Sequence, residues 1–229
     1  MARKELTDRG RERRDGLLKH ALELIGERGI TRTTVRDVAR AANVPSSLFY
    51  WYFDDLDDLV RFAIREATRR FRRRIAASVE GLEDPRERLY VALREAVRIG
   101  SEDPASRVLT AAEAELQLGG LYRDELDRAI DVFIADARGL LEEGRRSGAI
   151  RKDVPALHLA YCLRSLVHYN LTAYFRGLVG GDVQSLAATI ASVGLRGICS
   201  DPAAADEIVA RLERARRLGS TERRMPGAA

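Results

Sequence analysis

Five aromatic side chains follow one another at Phe49, Tyr50, Trp51, Tyr52 and Phe53, five of the fourteen aromatics in the chain, just after the hydroxyls of Ser46 and Ser47. On a short helix, successive residues turn by about 100°, so five in a row point all round the axis and cannot all be buried. Some must face a partner. Serine and tyrosine hydroxyls beside a basic arm are the groups that contact phosphate oxygens and base edges of nucleic acid. Core packing is the alternative, and it is the better reading for Phe49 and Phe53.

Other chemistry finds less support. The three histidines, His20, His158 and His168, form neither an HxxxH nor an HExxH pair, and Cys162 and Cys199 belong to no CxxC. No metal site is expected, and the cysteines read as small buried hydrophobes, with a redox switch as the alternative. An enzyme built on His158, His168 or Cys162 would need a paired nucleophile and base, and no such motif is present. No catalytic residue and no cofactor are expected. The glycine-rich stretch Gly177 to Gly181 lacks the spacing of a phosphate-binding loop and reads as a helix stop before Asp182.

Charge points the same way as the hydroxyls. Residues 1–53 hold eleven Lys and Arg against seven Asp and Glu, whereas residues 54–229 hold 28 of each, so the whole net charge of +4 sits in the first quarter of the chain. A nucleic-acid-binding N-terminal module joined to a neutral body has this asymmetry. With 45% hydrophobic and 32% charged residues, the 229-residue chain has globular composition. No apolar run approaches the roughly 20 residues that span a bilayer, and Met1 to Arg14 lacks the apolar core of a secretory signal. A cytoplasmic location with no membrane partner is expected.

The elements that must hold these groups are helices. Apolar residues recur at helical spacing almost throughout, and no segment sustains period-two alternation, so the fold class is all-α. Ten helices are predicted, beginning near residues 10, 34, 45, 55, 85, 104, 121, 155, 182 and 202. Asp84-Pro85, Asp103-Pro104 and Asp201-Pro202 each pair an N-cap side chain with a proline suited to the first helical position, and Asp153 with Pro155 is read the same way. Leu17, Leu18, Ala21, Leu22 and Ile25 make one apolar face on a helix that Gly29 ends. Thr34 to Asp37 has the form of a capping box, and Asn43 stands where a left-handed turn residue is needed.

Residues 16–60, GLLKHALELIGERGITRTTVRDVARAANVPSSLFYWYFDDLDDLV, resemble the DNA-binding domain of the TetR (tetracycline repressor) family of bacterial regulators, in register over about 45 residues. The resemblance covers ALEL, ERG, TTVRDVA, Val44, Tyr50 and Tyr52-Phe53. It implies an N-terminal three-helix helix-turn-helix domain in which the helix from Thr34 crosses the backbone of double-stranded operator DNA and that from Pro45 enters the major groove. Positions matching Thr33, Thr34, Ser46, Ser47, Tyr50 and Tyr52 approach DNA in the family, and Arg36 is added as an exposed base near the second helix. Capping alone is the alternative for Thr33 and Thr34. Three residues depart from the family pattern: Asn43 replaces a turn glycine, Leu48 a small hydroxyl residue, and Leu56 the lysine that grips a phosphate. Around Leu56 the chain reads Asp54, Asp55, Asp57 and Asp58, acids that cap a helix and repel phosphate.

The resemblance divides the chain into a DNA-binding domain at 1–54, a larger helical effector-binding and dimerisation domain at 55–218, and a C-terminal tail at 219–229. It implies a homodimeric repressor released from its operator by a small-molecule effector through the fourth helix. In the penultimate long helix His158, Tyr161, Ser165, His168, Thr172 and Phe175 form a polar stripe that lines either a cavity or a dimer interface. Tyr161, Arg164 and His168, with Glu113 and Gln117, are the candidate effector-pocket residues. Small residues Ala187, Ala188, Ala191, Gly194 and Gly197 on the next helix read as a close dimer seam. The run Arg69, Arg70, Arg72, Arg73 and Arg74 reads as a solvated face, or else as a supporting charge near DNA. A low-specificity architectural DNA binder is the rival reading.

Overall fold

The computed structural model describes residues 7–103 and 122–222, and among them it holds nine α-helices and a single isolated β-bridge. They are α1 (Asp8–Arg28), α2 (Val35–Ala41), α3 (Ser46–Tyr52), α4 (Leu56–Val79), α5 (Pro85–Glu102), α6 (Arg123–Arg146), α7 (Ala156–Phe175), α8 (Val183–Ile198) and α9 (Pro202–Glu222). The all-α class holds, and each start lies within two residues of the predicted one. The helix predicted near 104, and with it Glu113 and Gln117, lies outside the described residues.

Local chemistry explains the starts. The Thr7 hydroxyl accepts from the Gly10 N–H at 3.2 Å to open α1, and the Gly29 N–H, at φ 86°, closes it on the Ile25 carbonyl. Asp55 Oδ1 accepts from the Asp58 N–H at 2.7 Å, and Asp58 Oδ2 from the Asp54 N–H at 3.2 Å, so two acids cap α4 reciprocally. Asp84, Asp182 and Asp201 take the first free N–H groups of α5, α8 and α9. Asp153 departs from this reading. Its carboxylate pairs with Arg151 at 2.7 Å, and α7 has Pro155 at its N-cap with no side-chain cap. Positive φ at Gly177 and Gly181 makes that stretch the stop between α7 and α8.

The chain divides into two compact units. Met1–Phe71 with Gly100–Ile130 makes the first, and Arg72–Ile99 with Asp131–Ala229 the second. In the first, the α1 face Leu17, Leu18, Ala21, Leu22 and Ile25 is buried as predicted, together with Val38, Ala39, Phe49, Phe53, Leu59, Val60, Ala63 and Ile64. In the second, Val97, Leu171, Leu186, Ala187 and Ile190 form a core with Leu166, Val167, Tyr174 and Val179 packed on it. The Ile150–Cys199 bridge ties the turn after α6 to the end of α8, with the Arg151 N–H on the Ile198 carbonyl at 2.9 Å.

Candidate nucleic-acid interface

The helix-turn-helix is built from short-range bonds. Thr34 Oγ1 accepts from the Asp37 N–H at 3.2 Å while Asp37 Oδ2 accepts from the Thr34 N–H at 3.1 Å, the reciprocal box read from sequence. The Thr34 hydroxyl also donates to Asp37 at 2.6 Å, and this bond first, then Arg28 and Arg40, holds the Asp37 carboxyl below the usual carboxylate range. Arg28 Nη2 lies 3.0 Å from Asp37, which ties the end of α1 to the start of α2. Between α2 and α3, Asn43 takes φ 54°, the one positive φ outside glycine among the described residues.

The aromatic run on α3 sorts by helical spacing. Phe49, Tyr52 and Phe53, at i, i+3 and i+4, are buried, while Tyr50 is 58% exposed and Trp51 64%. Phe53 packs on Phe49 and on Phe62 of α4 with centroids 5.5 and 5.7 Å apart, and Arg14 of α1 sits 4.7 Å over the Phe62 ring. Trp51 meets the Tyr52 ring edge-on at 4.8 Å. Phe62 of α4 thus backs the end of α3, Arg14 of α1 backs Phe62, and two aromatic rings remain in solvent.

Among the candidate DNA-contact residues, Thr34, Arg36, Ser47 and Tyr50 are exposed and Ser46 is half-buried. Thr33 and Tyr52 differ. Thr33 is buried and donates to the Gly29 carbonyl at 2.9 Å, closing the turn before α2, and Tyr52 is only 5% exposed. Sequence reasoning left Trp51 off the interface. Its signal was available, because Phe49, Tyr52 and Phe53 share the i, i+3, i+4 stripe and leave 50 and 51 outside it.

The remaining candidate residues resolve unevenly. On α7, His158, Tyr161, Ser165 and Phe175 are exposed, while Arg164, His168 and Thr172 are half-buried, with the Thr172 hydroxyl donating to its own helix at the His168 carbonyl. Three of the five small residues of α8 face inward, while Ala188 is half-buried and Gly197 exposed. Ala187, Ala191 and Gly194 are buried inside the chain, and a Cβ on Gly194 would lie 2.8 Å from Leu93 Cδ1 of α5 and 3.2 Å from Leu163 Cδ2 of α7. They let the chain's own helices approach. The basic run on α4 is largely paired: Arg69 and Arg70 with Glu66, Arg72 with Asp136 at 2.7 Å, and Arg74 with Glu95 at 3.5 Å. The Arg72 and Arg74 pairs link α4 to α6 and α5, while those of Arg69 and Arg70 lie within α4. Arg69, Arg70, Arg72 and Arg73 are exposed, as a solvated face requires, and surface ion pairs take up most of the charge.

Cys162 is exposed, while burial pushes the Cys199 thiol up to about 11, away from thiolate chemistry. Among the described residues no cluster of His, Cys, Asp and Glu is arranged to hold a metal ion, and no helix is long and apolar enough to cross a membrane.

Residues 17–62 match the model of the bacterial regulatory proteins of the tetR family. The regulator HbdR of Aromatoleum sp. (strain CIB) is 36% identical over 78 residues, which cover 34% of each chain. The transcriptional repressor KstR2 of Rhodococcus jostii (strain RHA1) is 24% identical over 204 residues, 82% of this chain and 92% of that one. The chain thus spans about a third of the first relative and nearly all of the second. Among solved structures, AibR in complex with isovaleryl coenzyme A and operator DNA superposes with a TM-score of 0.66 at 18% identity, covering 79% of this chain and 97% of that one.

Proposed function

We propose that this chain, whose residues 17–62 match the model of the bacterial regulatory proteins of the tetR family, is a DNA-binding transcriptional regulator of that family and acts as a homodimeric repressor which a small-molecule effector releases from its operator. The observation that carries the reading is α3. Its buried side is locked by Phe49, Tyr52 and Phe53, and its exposed side offers Ser47, Tyr50 and Trp51 beside Thr34 and Arg36 of a rigidly capped α2. A preformed short helix with exposed hydroxyl, indole and guanidinium groups fits a major groove, where such groups meet phosphates, base edges and thymine methyls.

We assign the DNA contacts to Thr34, Arg36, Ser46, Ser47, Tyr50 and Trp51. Thr33 and the Tyr52 ring act from behind as supports, leaving the Tyr52 hydroxyl as that residue's only possible contact. Residues 1–54 carry operator binding and 55–218 the effector and dimer functions; the tail expected from 219 begins inside α9, which runs to Glu222. For the dimer, Leu157, Tyr161 and Tyr169 of α7 and Val193 of α8 are large apolar groups left exposed, and a second copy covers them in this reading. Tyr161 belongs to that face. Arg164, His168, Glu113 and Gln117 remain the effector candidates. KstR2 is a repressor by name and AibR was solved with isovaleryl coenzyme A and operator DNA, which supports a repressor that takes both DNA and a small molecule.

Tyr50→Ala tests the interface. It removes an exposed ring and leaves the core intact, so circular dichroism stays unchanged while affinity for a selected operator duplex falls by about 1 to 3 kcal/mol. Unchanged affinity would take α3 out of the groove.

A further inference from the structure

Capping accounts for Asp55 and Asp58 at the start of α4, but not for Asp57. Asp57 Oδ1 accepts a 2.6 Å hydrogen bond from the phenol of Tyr122, a side chain 65 positions away that is only 6% exposed. Two turns further along α4, Arg65 donates to the Glu125 carboxylate at 2.8 Å, and Arg128 lies 3.1 Å from the same group. Tyr122 directly precedes α6, and its carbonyl accepts from the Leu126 N–H at 3.0 Å. Both ties fall within the unit formed by Met1–Phe71 and Gly100–Ile130, so the start of α6 belongs structurally with the DNA-binding helices.

We infer that Tyr122 and Glu125 are positioning residues for operator binding: from the start of α6 they hold the first turns of α4 in the orientation that operator recognition requires. The inference rests on the operator-binding reading above and names how that site is held. Phe62 of α4 packs on Phe53 next to α3 and lies under Arg14 of α1, so a tilt of α4's first turns carries the reading helix with it. The phenol to carboxylate bond is charge-assisted and buried on the tyrosine side, which makes it short, directional and costly to leave half-made. An acid at position 57, otherwise unfavourable near phosphate, is explained by this partner.

The test uses the full chain and two probes, a duplex that the wild-type protein selects from a random pool and an unselected duplex of the same length. Tyr122→Phe keeps the ring and removes the donor. It is expected to weaken binding to the selected duplex on the order of tenfold while leaving the unselected duplex within about twofold. Asp57→Asn should do the same, and the double variant should be no worse than either single one, since both remove one bond. Glu125→Gln, at the second tie, should also weaken the selected duplex alone, so the claim survives if a Tyr122 variant folds poorly. A merely structural role would lower the melting temperature and weaken both duplexes in proportion. Selected-duplex affinity unchanged in Tyr122→Phe, or additive losses in the double variant, would overturn the inference. A wild-type chain that enriches no sequence would instead overturn the regulator reading on which it rests.

Discussion

Leu56 stands at the first residue of α4, half-buried, where the family pattern has a lysine on a DNA phosphate, and Leu56→Lys should restore that contact. One more neutralised phosphate steepens the slope of log K against log salt by about 0.9, or about 1.8 for a dimer with two equivalent sites. Raising salt fourfold, as from about 50 to about 200 mM, then costs the variant roughly threefold more per half-site than the wild type, and roughly tenfold more per dimer. The gain at low salt should be equal on operator and unselected DNA, because phosphate contacts position a protein without reading bases. Neighbouring acids compete for the new ammonium. Asp55 and Asp58 cap α4 and Asp57 holds Tyr122, but all three keep their charge, so Asp54→Asn is added because it removes one competing carboxylate without undoing those bonds. Fluorescence anisotropy across a salt series reads both slopes. A slope unchanged in Leu56→Lys and in the Asp54→Asn background would mean that this end of α4 does not face the DNA backbone.

Two further outcomes are expected. In Gly144→Ala the new methyl would sit 2.3 Å from Ile150 Cγ1 and 3.3 Å from Pro85 Cβ, and Ile150 is fully buried, so overpacking should cost about 1 to 3 kcal/mol and several degrees of melting temperature; an unshifted melt would show that the turn after α6 yields freely. Gly194→Trp should unfold or strongly destabilise the chain because the glycine faces Leu93 and Leu163, whereas Val193→Arg, at a side chain 53% exposed, should leave the fold intact and convert a dimer into a monomer by light scattering. A dimer that survives Val193→Arg would remove that face from the interface.

What was legible in the sequence was governed by neighbours a few residues apart. Helix starts follow from caps within three or four positions, such as Thr34 with Asp37, and the left-handed turn at Asn43 follows from its own backbone preference. The burial of Phe49 and Phe53 follows from helical spacing. Most of the failures involve distant partners. Nothing local shows that the exposed Arg72 pairs with a carboxylate 64 positions away on α6, and a stripe of small residues on α8 reads alike whether it faces α5 and α7 or a second subunit. Asp153 was read as a cap from its place before a proline, but Arg151 two residues earlier offers a full charge and takes it. Tyr122 shows the same limit, since its partner at 57 is a matter of tertiary arrangement.

The central claim is that α3 reads DNA sequence, and the most direct measurement is the ratio of affinities for a wild-type-selected duplex and an unselected one at the same salt concentration. A ratio on the order of a thousand or more is expected, with the selected sequence an inverted repeat whose half-sites lie about one helical turn, or a multiple of it, apart. Equal affinity for the two duplexes would contradict it and leave the low-specificity architectural binder as the reading that fits.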